Sequence, residues 1–471
     1  MGRYEKLGKN VVLMTIGNFA SKIMSFFLIP FYTSILSTSE YGTADLMTTT
    51  VSLLMPFFTL LMSEAVMRFT LEQENDKKAV FTNGLAVTLL GISVFLVFSP
   101  LSKLSESIGP FYWYFVLYYM VTAIHTLLSY FIRGINKIGI YILSGVLQTL
   151  FFLISNIVFL TVIKTGIKGY LLSMIVGHSV AIAILIVGAK LYKYLNLKAF
   201  DSRLLHKMLN YSVPMIPNSL SWWISNSSDK YFITLFCDVA LTGVYSVSQR
   251  IPSLFATIST IFMGAWQISA VEDFGSEQTR KFYSNVYNQY SVLNIIIVSA
   301  LVTFTKPIAK ILFSNDFFAG WYYVPILLFA FLFHAMSSFL GSVYTSAKKT
   351  KMLFISTVIS AGANIVFNIA MIPIWGALGA AVATFISYFL IWIIRLIDSN
   401  KILHMDLKIK RDIVLYILVM IQCIVIMCDM KHTSLAISSL VLMTTSIICK
   451  KEIIGIVKQI YKKIGSRLSR N

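Results

Sequence analysis

The fold is decided by two long uncharged runs joined by a short turn, in residues 140–188: IYILSGVLQTLFFLISNIVFLTVIKTGIKGYLLSMIVGHSVAIAILIVG. About 20 consecutive apolar residues cross the hydrocarbon core of a bilayer as one helix. Each run reaches that length, and the only two charged side chains of the stretch, Lys164 and Lys168, both lie at the turn. The pattern therefore predicts two membrane-spanning helices.

The rest of the chain continues this pattern. It has 471 residues, of which 57% are hydrophobic and 13% charged, and its mean hydropathy is +0.77. A soluble protein of this size needs far more polar surface. Because about fourteen stretches are long enough to cross a bilayer, we predict an all-α polytopic membrane protein with about 14 transmembrane helices.

An internal repeat relates the two halves of the chain. The glycine turn Gly166-Ile167-Lys168-Gly169 matches Gly376-Ala377-Leu378-Gly379, and Tyr41-Gly42-Thr43 matches Thr242-Gly243-Val244. The order of these matches along the chain is more informative than any one of them. Further matches in the same order pair Ile16-Gly17-Asn18 with Ile216-Pro217-Asn218, Asn83 with Asn285, Pro100 with Pro307, and Asn156 with Asn368.

Each repeat holds six predicted helices, so both halves have the same orientation and are related by an axis along the membrane normal. We predict an N-lobe of residues 1–204 with helices 1–6 and a C-lobe of residues 205–404 with helices 7–12, around a central cavity. Residues 405–471 then hold helices 13 and 14 and a basic tail. Two such lobes are typical of alternating-access transport.

The net charge of +19 follows membrane topology rather than nucleic-acid binding. Most basic residues fall in alternate connections, which the positive-inside rule assigns to the cytoplasm together with both termini. No cleavable signal peptide is predicted at the start. The opposite connections hold six basic residues, Lys103, Lys164, Lys168, Lys306, Lys310 and Lys431.

Four basic residues lie within or at the end of apolar segments: Lys22, Arg68, Lys230 and Arg250. Placing an unpaired charge at the centre of a membrane helix costs about 3 kcal/mol or more, so these cations are expected to face a protein interior or a wet cavity. A cavity lined with cations indicates a carrier for an anionic substrate. The alternative is that they snorkel to the interface or form structural ion pairs.

Two acidic residues accompany these cations. Glu64 precedes Arg68 by one helical turn, and we predict a local salt bridge between them, with a protonatable coupling site as the alternative. Asp229 directly precedes Lys230. It is a candidate to pair with a cation on another helix, to carry a coupling ion, or to neutralise Arg250.

Aromatic side chains are frequent on the predicted cavity helices, which suits a glycan because sugars stack on aromatic faces. Packing and the interfacial aromatic belt explain such residues equally well. The candidate glycan contacts are Asn18, Asn218, Trp222, Tyr231, Tyr245 and Trp266.

No motif indicates a cofactor, a metal site or catalysis. His125, His178 and His334 are isolated in apolar stretches without metal-ligand spacing, and we interpret them as packing or hydrogen-bonding residues. The four cysteines form no disulfide framework. All connections opposite the termini are short, so we predict a protein that is not an enzyme.

Residues 6–400 resemble bacterial polysaccharide flippases of the Wzx type, within the multidrug, oligosaccharidyl-lipid and polysaccharide exporter superfamily. The motifs that carry this resemblance are Leu7-Gly8-Lys9-Asn10, Ala20-Ser21-Lys22, Pro30, Ser39-Glu40-Tyr41-Gly42, Ala65-Val66-Met67-Arg68-Phe69, Pro217-Asn218, Asp229-Lys230-Tyr231 and Gly376-Ala377-Leu378-Gly379-Ala380-Ala381.

The resemblance implies a flippase that carries undecaprenyl-diphosphate-linked oligosaccharide from the cytoplasmic to the outer face of the bacterial inner membrane, for capsule, exopolysaccharide or similar polymers. The four cations then contact the anionic headgroup. The implied partners are membrane lipid, a coupling proton or sodium ion, and the polymerase and other assembly proteins, with no cofactor. A lipid II flippase, a multidrug exporter of the same superfamily and a membrane polysaccharide polymerase stay open as alternatives.

Overall fold

The computed structural model describes residues 24, 26–72, 74–271, 277–347, 349–430, 432–450 and 452–455. Within these ranges every regular element is helical, which confirms the all-α prediction. Helices suit a bilayer because they satisfy their own backbone hydrogen bonds. The chain forms two compact units, the first reaching to Ser246 and including Ser314–Phe317, and the second formed by Val247–Phe313 and the residues from Phe318 onward.

The first unit packs around buried Val66, Leu127, Phe131 and Leu185, each at most 1% exposed. Its helices are α1 (Ile29–Ile35), α2 (Thr38–Thr59), α3 (Met62–Leu71), α4 (Lys77–Phe98), α5 (Tyr112–Gly134), α6 (Ile138–Ile157), α7 (Ile167–Ala189), α8 (Ser202–Ser212), α9 (Ile216–Phe236) and, up to Ser246, α10 (Val239–Ser248).

The second unit is built around α14, whose residues Leu327, Leu328, Met336 and Leu340 are fully buried. This helix packs against α11, α12, α16 and α17. The helices of this unit are α11 (Arg250–Val271), α12 (Glu277–Thr303), α13 (Thr305–Leu312), α14 (Val324–Ser346), α15 (Thr350–Trp375), α16 (Ala377–Leu403), α17 (Ile409–Met427) and α18 (His432–Ile448).

The structure supports the predicted repeat at its glycine turns. Gly166 and Gly376 precede α7 and α16, and their φ and ψ angles agree, at 56° and −138° for the first and 57° and −137° for the second. Only glycine adopts this region without strain. Asn156 and Asn368 are both fully buried, as repeat-equivalent residues should be.

One predicted match is wrong. The amide of Asn83 donates to the backbone carbonyl of Asp201 at 2.8 Å, and Asn288 makes the same contact with Asp406 at 3.0 Å. Asn288, rather than the predicted Asn285, is therefore the equivalent of Asn83. The repeats differ in length before this point by more than the sequence matches indicated.

The boundary of the compact units falls after Ser246 and not at the predicted repeat boundary of residue 204. The first two helices of the second repeat, α9 and the start of α10, pack in the first unit because Lys230 and Gly243 contact α2. The division into residues 1–204, 205–404 and 405–471 stays a prediction about the repeat.

Eight helices of the described residues are long and apolar enough to cross a membrane, and the bent pair α2–α3 brings the number to nine. The predicted number of about fourteen is not reached by this criterion. Among the others, α9 is rich in polar residues, α17 carries Lys410, Arg411 and Asp412 in its first turn, and α18 has 17 residues.

A backbone break separates α2 from α3. Leu60 and Leu61 have φ angles of 51° and 50°, and the two helices differ in direction by 61°. The left-handed conformation costs an L-residue roughly 1–2 kcal/mol because its Cβ approaches the following carbonyl oxygen. The bend between α2 and α3 therefore depends on backbone strain at Leu60 and Leu61, which a continuous straight helix would not have.

We expect Leu61→Gly to be more stable than Leu61→Ala by about 1 kcal/mol, because glycine removes the left-handed strain while both changes delete the same side chain. Free energies of unfolding of the purified variants in detergent measure this difference. Equal stability, or a more stable alanine variant, would show that the break does not store strain at Leu61.

Candidate functional site

Five polar residues meet in the first unit where α2, α9 and α10 pack together. The Lys230 Nζ lies 2.6 Å from Oδ2 of Asp45, and the Ser246 hydroxyl donates to the same oxygen at 2.8 Å. The Tyr245 hydroxyl donates to Oδ2 of Asp229 at 2.6 Å. These residues form the charge cluster: Asp45, Asp229, Lys230, Tyr245 and Ser246.

The geometry of α9 explains how the neighbours Asp229 and Lys230 reach different helices. Consecutive helical side chains point about 100° apart. Asp229 consequently faces Tyr245 on α10, whereas Lys230 faces Asp45 on α2. Lys230 and Asp229 were predicted site residues, but Asp45, the eighth residue of α2 and the carboxylate that binds Lys230, was not.

The charge cluster is shielded from solvent. The side chains of Lys230 and Asp45 are 12% and 10% exposed, and Asp229 is 3% exposed. Ionised groups in such surroundings need close partners, because removing one member of a buried ion pair costs about 3–5 kcal/mol. Charge-assisted hydrogen bonds of this length are among the stronger polar contacts in proteins. The cluster therefore couples three helices through electrostatics.

Arg68 lies on the exposed surface of α3, with a side chain that is 60% exposed. Its Nε is 3.3 Å from Oε1 of Glu72, so the predicted salt bridge with Glu64 is wrong. Glu64 instead accepts a hydrogen bond from the Tyr130 hydroxyl at 3.0 Å. The reason is orientation: the Glu64 side chain turns toward Tyr130 on α5, while the side chains of Arg68 and Glu72 are both exposed.

The other predicted cations are distributed differently. Arg250 is the half-buried first residue of α11 and belongs to the second unit. Lys22 and the candidate glycan contact Asn18 lie outside the described residues. Of the four predicted cations, the structure thus places Lys230 in the charge cluster, and no hydrogen bond or ion pair joins Arg68 to that cluster in the described part.

The candidate glycan contacts fall into two groups. Tyr245 is fully buried, and Trp266 is 4% exposed with its indole donating to the Ser342 hydroxyl at 2.8 Å. These two rings offer no free face to a sugar, and their contacts give them a packing role. Tyr231 is half-buried, and its hydroxyl forms a hydrogen bond with that of Thr50.

Polar accessible side chains follow one face of α9. Asn218 and Asn226 are exposed, and Trp222 lies between them at a spacing of four residues. Residues four apart lie one above the other on a helix. One turn further on, the same spacing reaches Lys230. The face therefore combines amide groups with an aromatic ring, which is a chemistry suited to sugars.

His125 and His178 are packing and hydrogen-bonding residues, as predicted, and they also contact each other. Their rings lie 5.3 Å apart in an edge-to-face arrangement between α5 and α7, and Gln148 contacts His178 at 3.2 Å. A cavity of about 170 Å³ borders His178 and Gln148. Within the described chain, no three His, Cys, Asp or Glu residues come together as metal ligands. The pair is a buried polar contact between helices far apart in sequence.

Comparison with known proteins agrees with this architecture. The family model described as "Polysaccharide biosynthesis protein" matches residues 7–267, more than half of the chain, and a second model, MatE, matches residues 214–370. A probable low-salt glycan biosynthesis flippase of Haloferax volcanii is 25% identical over 186 residues, or 38% of this chain. An uncharacterized membrane protein of Methanocaldococcus jannaschii is 25% identical over 219 residues, or 44% of this chain. The matched regions are 39% and 41% of these two relatives' own lengths.

Solved structures share the fold at low sequence identity. A lipid II flippase in an inward closed conformation has a TM-score of 0.69 and 15% identity, with 94% of this chain and 100% of that chain covered. An inward-facing transporter of the multidrug resistance MATE family has a TM-score of 0.66 and 14% identity, with 83% and 94% covered. At these identities the likeness establishes the two-lobe helical fold and nothing further.

Proposed function

Because this chain belongs to the polysaccharide biosynthesis protein family, in the superfamily of multidrug, oligosaccharidyl-lipid and polysaccharide exporters, we propose that it is a flippase for lipid-linked oligosaccharides. The family match over residues 7–267 is the observation that carries the proposal. The partial similarity to a probable glycan biosynthesis flippase supports the same substrate class.

The accessible residues of the first unit suit the two ends of such a substrate. Arg68 is 60% exposed, and its surface pair with Glu72 is of a kind that contributes little stability, so a phosphate group displaces it at low cost. Arg also binds phosphate through two parallel hydrogen bonds. We assign Arg68 to the headgroup phosphates and Asn218, Trp222 and Tyr231 to the glycan.

Lys230 has a different role from the other predicted cations, since Asp45 already neutralises it. An anionic headgroup that approaches Lys230 competes with this carboxylate. We propose that the headgroup phosphate replaces Asp45 as the partner of Lys230. Substrate binding would then break the ion pair that joins α9 to α2. Lys22 and Arg250 complete the proposed headgroup contacts by charge and position in the sequence.

The finer features of the transport reaction are also proposals. The substrate is an undecaprenyl-diphosphate-linked repeat unit, which moves from the cytoplasmic to the outer face of a bacterial inner membrane, with both termini in the cytoplasm. A proton or sodium gradient drives it, with Glu64 and Asp229 as candidate coupling groups. A polymerase and other assembly proteins of capsule or exopolysaccharide synthesis then use the product.

The test is translocation in liposomes that contain the purified protein and an undecaprenyl-diphosphate oligosaccharide with a fluorescent glycan. A membrane-impermeant quencher measures how fast the label crosses. We expect wild-type protein to move it and Arg68→Ala to be about ten-fold slower or worse, because a hydrogen-bonded charge contributes roughly 1.5–3 kcal/mol. Arg68→Lys keeps the charge and should retain part of the rate.

Lys103→Ala serves as the control because Lys103 is an exposed cation in the connection between α4 and α5. Its rate should equal that of wild type. The same assay is repeated with lipid II and with cationic drugs, which are the substrates of the two alternative carrier classes. If well-folded protein moves a rival and not the oligosaccharide, under proton and sodium gradients alike, the proposed substrate class is wrong.

A further inference from the structure

A second candidate site lies in the second unit. A cavity of about 550 Å³ opens where α12 and α13 meet the connection between α17 and α18. This volume is within the range of small-ligand sites. The cavity is lined by Thr303, Lys306, Pro307, Lys310, Phe318, Ile426, Asp429, Ser434 and Leu435.

Two lysines give the cavity its charge. Lys306 forms an ion pair with Asp429, and its Nζ lies 4.3 Å from the centre of the Trp321 ring. Lys310 is exposed, and it has no hydrogen-bond or ion-pair partner among the residues that the structure describes. With two ammonium groups and one carboxylate, the lining favours an anion, and Lys310 is the group available to bind it.

The residues around the cavity are of the kinds that occur at membrane interfaces. The short helix α13 buries Thr305, Ala309 and Leu312, while Ile311 is 73% exposed. Such amphipathic helices lie at the boundary between headgroups and acyl chains. The cluster of Trp321, Tyr322 and Tyr323, whose Trp321 ring contacts Lys306, is of the kind found in the aromatic belt of membrane interfaces.

We propose that this cavity binds the phosphate headgroup of an anionic membrane lipid. Lys310 contacts the phosphate, Asp429 holds Lys306 at the rim, and the acyl chains lie along the exposed apolar side chains of α13 and α18, such as Ile311 and Leu435. This inference does not depend on the proposed function, because it concerns an interfacial lipid and not the transported molecule.

Native mass spectrometry of the full-length protein in detergent tests the proposal with three lipids. We expect phosphatidylglycerol, whose headgroup is anionic, to bind more tightly than phosphatidylcholine, whose headgroup has no net charge, or diacylglycerol, which has no phosphate. Lys310→Ala should weaken phosphatidylglycerol binding about five-fold, as expected for one lysine near an anionic lipid. Asp429→Asn should tighten it, because the Lys306 ammonium then loses its competing carboxylate.

Lys103→Ala is the matched control. The predicted match of Pro100 with Pro307 places Lys103 at the position of Lys310, but the Lys103 ammonium lies over the Tyr112 ring at 4.5 Å. Its removal should not change lipid binding. Equal binding by wild type and Lys310→Ala, with unchanged melting temperatures, would overturn the proposal. Displacement of the lipid by millimolar glycerol phosphate would instead identify a site for a free phosphate ester and would also overturn it.

Discussion

Replacing Lys230 with Met is expected to destabilise the protein by about 3 kcal/mol. The change leaves the Asp45 carboxylate with 10% side-chain exposure and without its ammonium partner at 2.6 Å. An isolated charge in such surroundings costs about 3–5 kcal/mol, whereas the pair as a whole contributes little. Unfolding of the purified variant in detergent measures the loss of free energy.

The double variant Asp45→Asn, Lys230→Met should recover most of that stability, because it removes both charges together. Arg68→Met is the control at an exposed ion pair and should cost less than ~1 kcal/mol. A double variant as unstable as the sum of its single changes would contradict the coupling between Asp45 and Lys230.

The same double variant distinguishes a purely structural role of the ion pair from a role of Lys230 in substrate binding. If the pair only holds α2 against α9, the double variant should translocate the oligosaccharide at the wild-type rate. If Lys230 exchanges Asp45 for a headgroup phosphate, as we propose, the variant should fold normally and lose most of its transport. Its rate in the liposome assay therefore decides whether Lys230 contacts the substrate.

Gly243→Ala is expected to be destabilising by about 3 kcal/mol or more. A Cβ at Gly243 would lie 2.0 Å from the carbonyl oxygen of Thr38, and one at Gly42 would lie 2.1 Å from that of Val239. A backbone carbonyl cannot relieve the clash by changing rotamer as a side chain can. The helices α2 and α10 would therefore have to move apart. Gly42→Ala should have a similar effect, because the two contacts are reciprocal.

Gly362→Ala provides a matched control with the opposite sign. Gly362 lies inside α15, and no atom approaches its potential Cβ within 4 Å. Alanine favours a helix over glycine by roughly 1 kcal/mol, so this variant should be as stable as wild type or more so. Melting temperatures of the three variants in one detergent test the contrast. Equal temperatures would mean that α2 and α10 do not touch.

Hydropathy and glycine turns were sufficient to predict the helical membrane fold, because both are local properties of the chain. Each run of apolar residues identifies one span, and the matched turns begin with Gly166 and Gly376, whose positive φ angles in the structure favour glycine. The Asn83 match was misplaced because insertions between the repeats leave no local trace.

The site was harder to predict because its contacts join distant helices. Lys230 stood out as a cation in an apolar segment, but nothing near it in the sequence points to Asp45. Asp45 is the eighth residue of α2, and no cation lies near it in the sequence to indicate an ion pair. The contact between His125 and His178 was not predicted because it also joins helices that are distant in the sequence.

The ion pair of Asp45 and Lys230 also constrains biosynthesis. Asp45 enters the membrane with α2, but its partner is translated only after α3 to α8 have been made. A nascent chain that stops before α9 thus lacks the Lys230 ammonium group that lies against Asp45 in the finished fold. The first unit can complete its assembly only when the ribosome has passed Phe317, because this unit includes Ser314–Phe317, and its ion pair between Asp45 and Lys230 cannot form before α9 has been made.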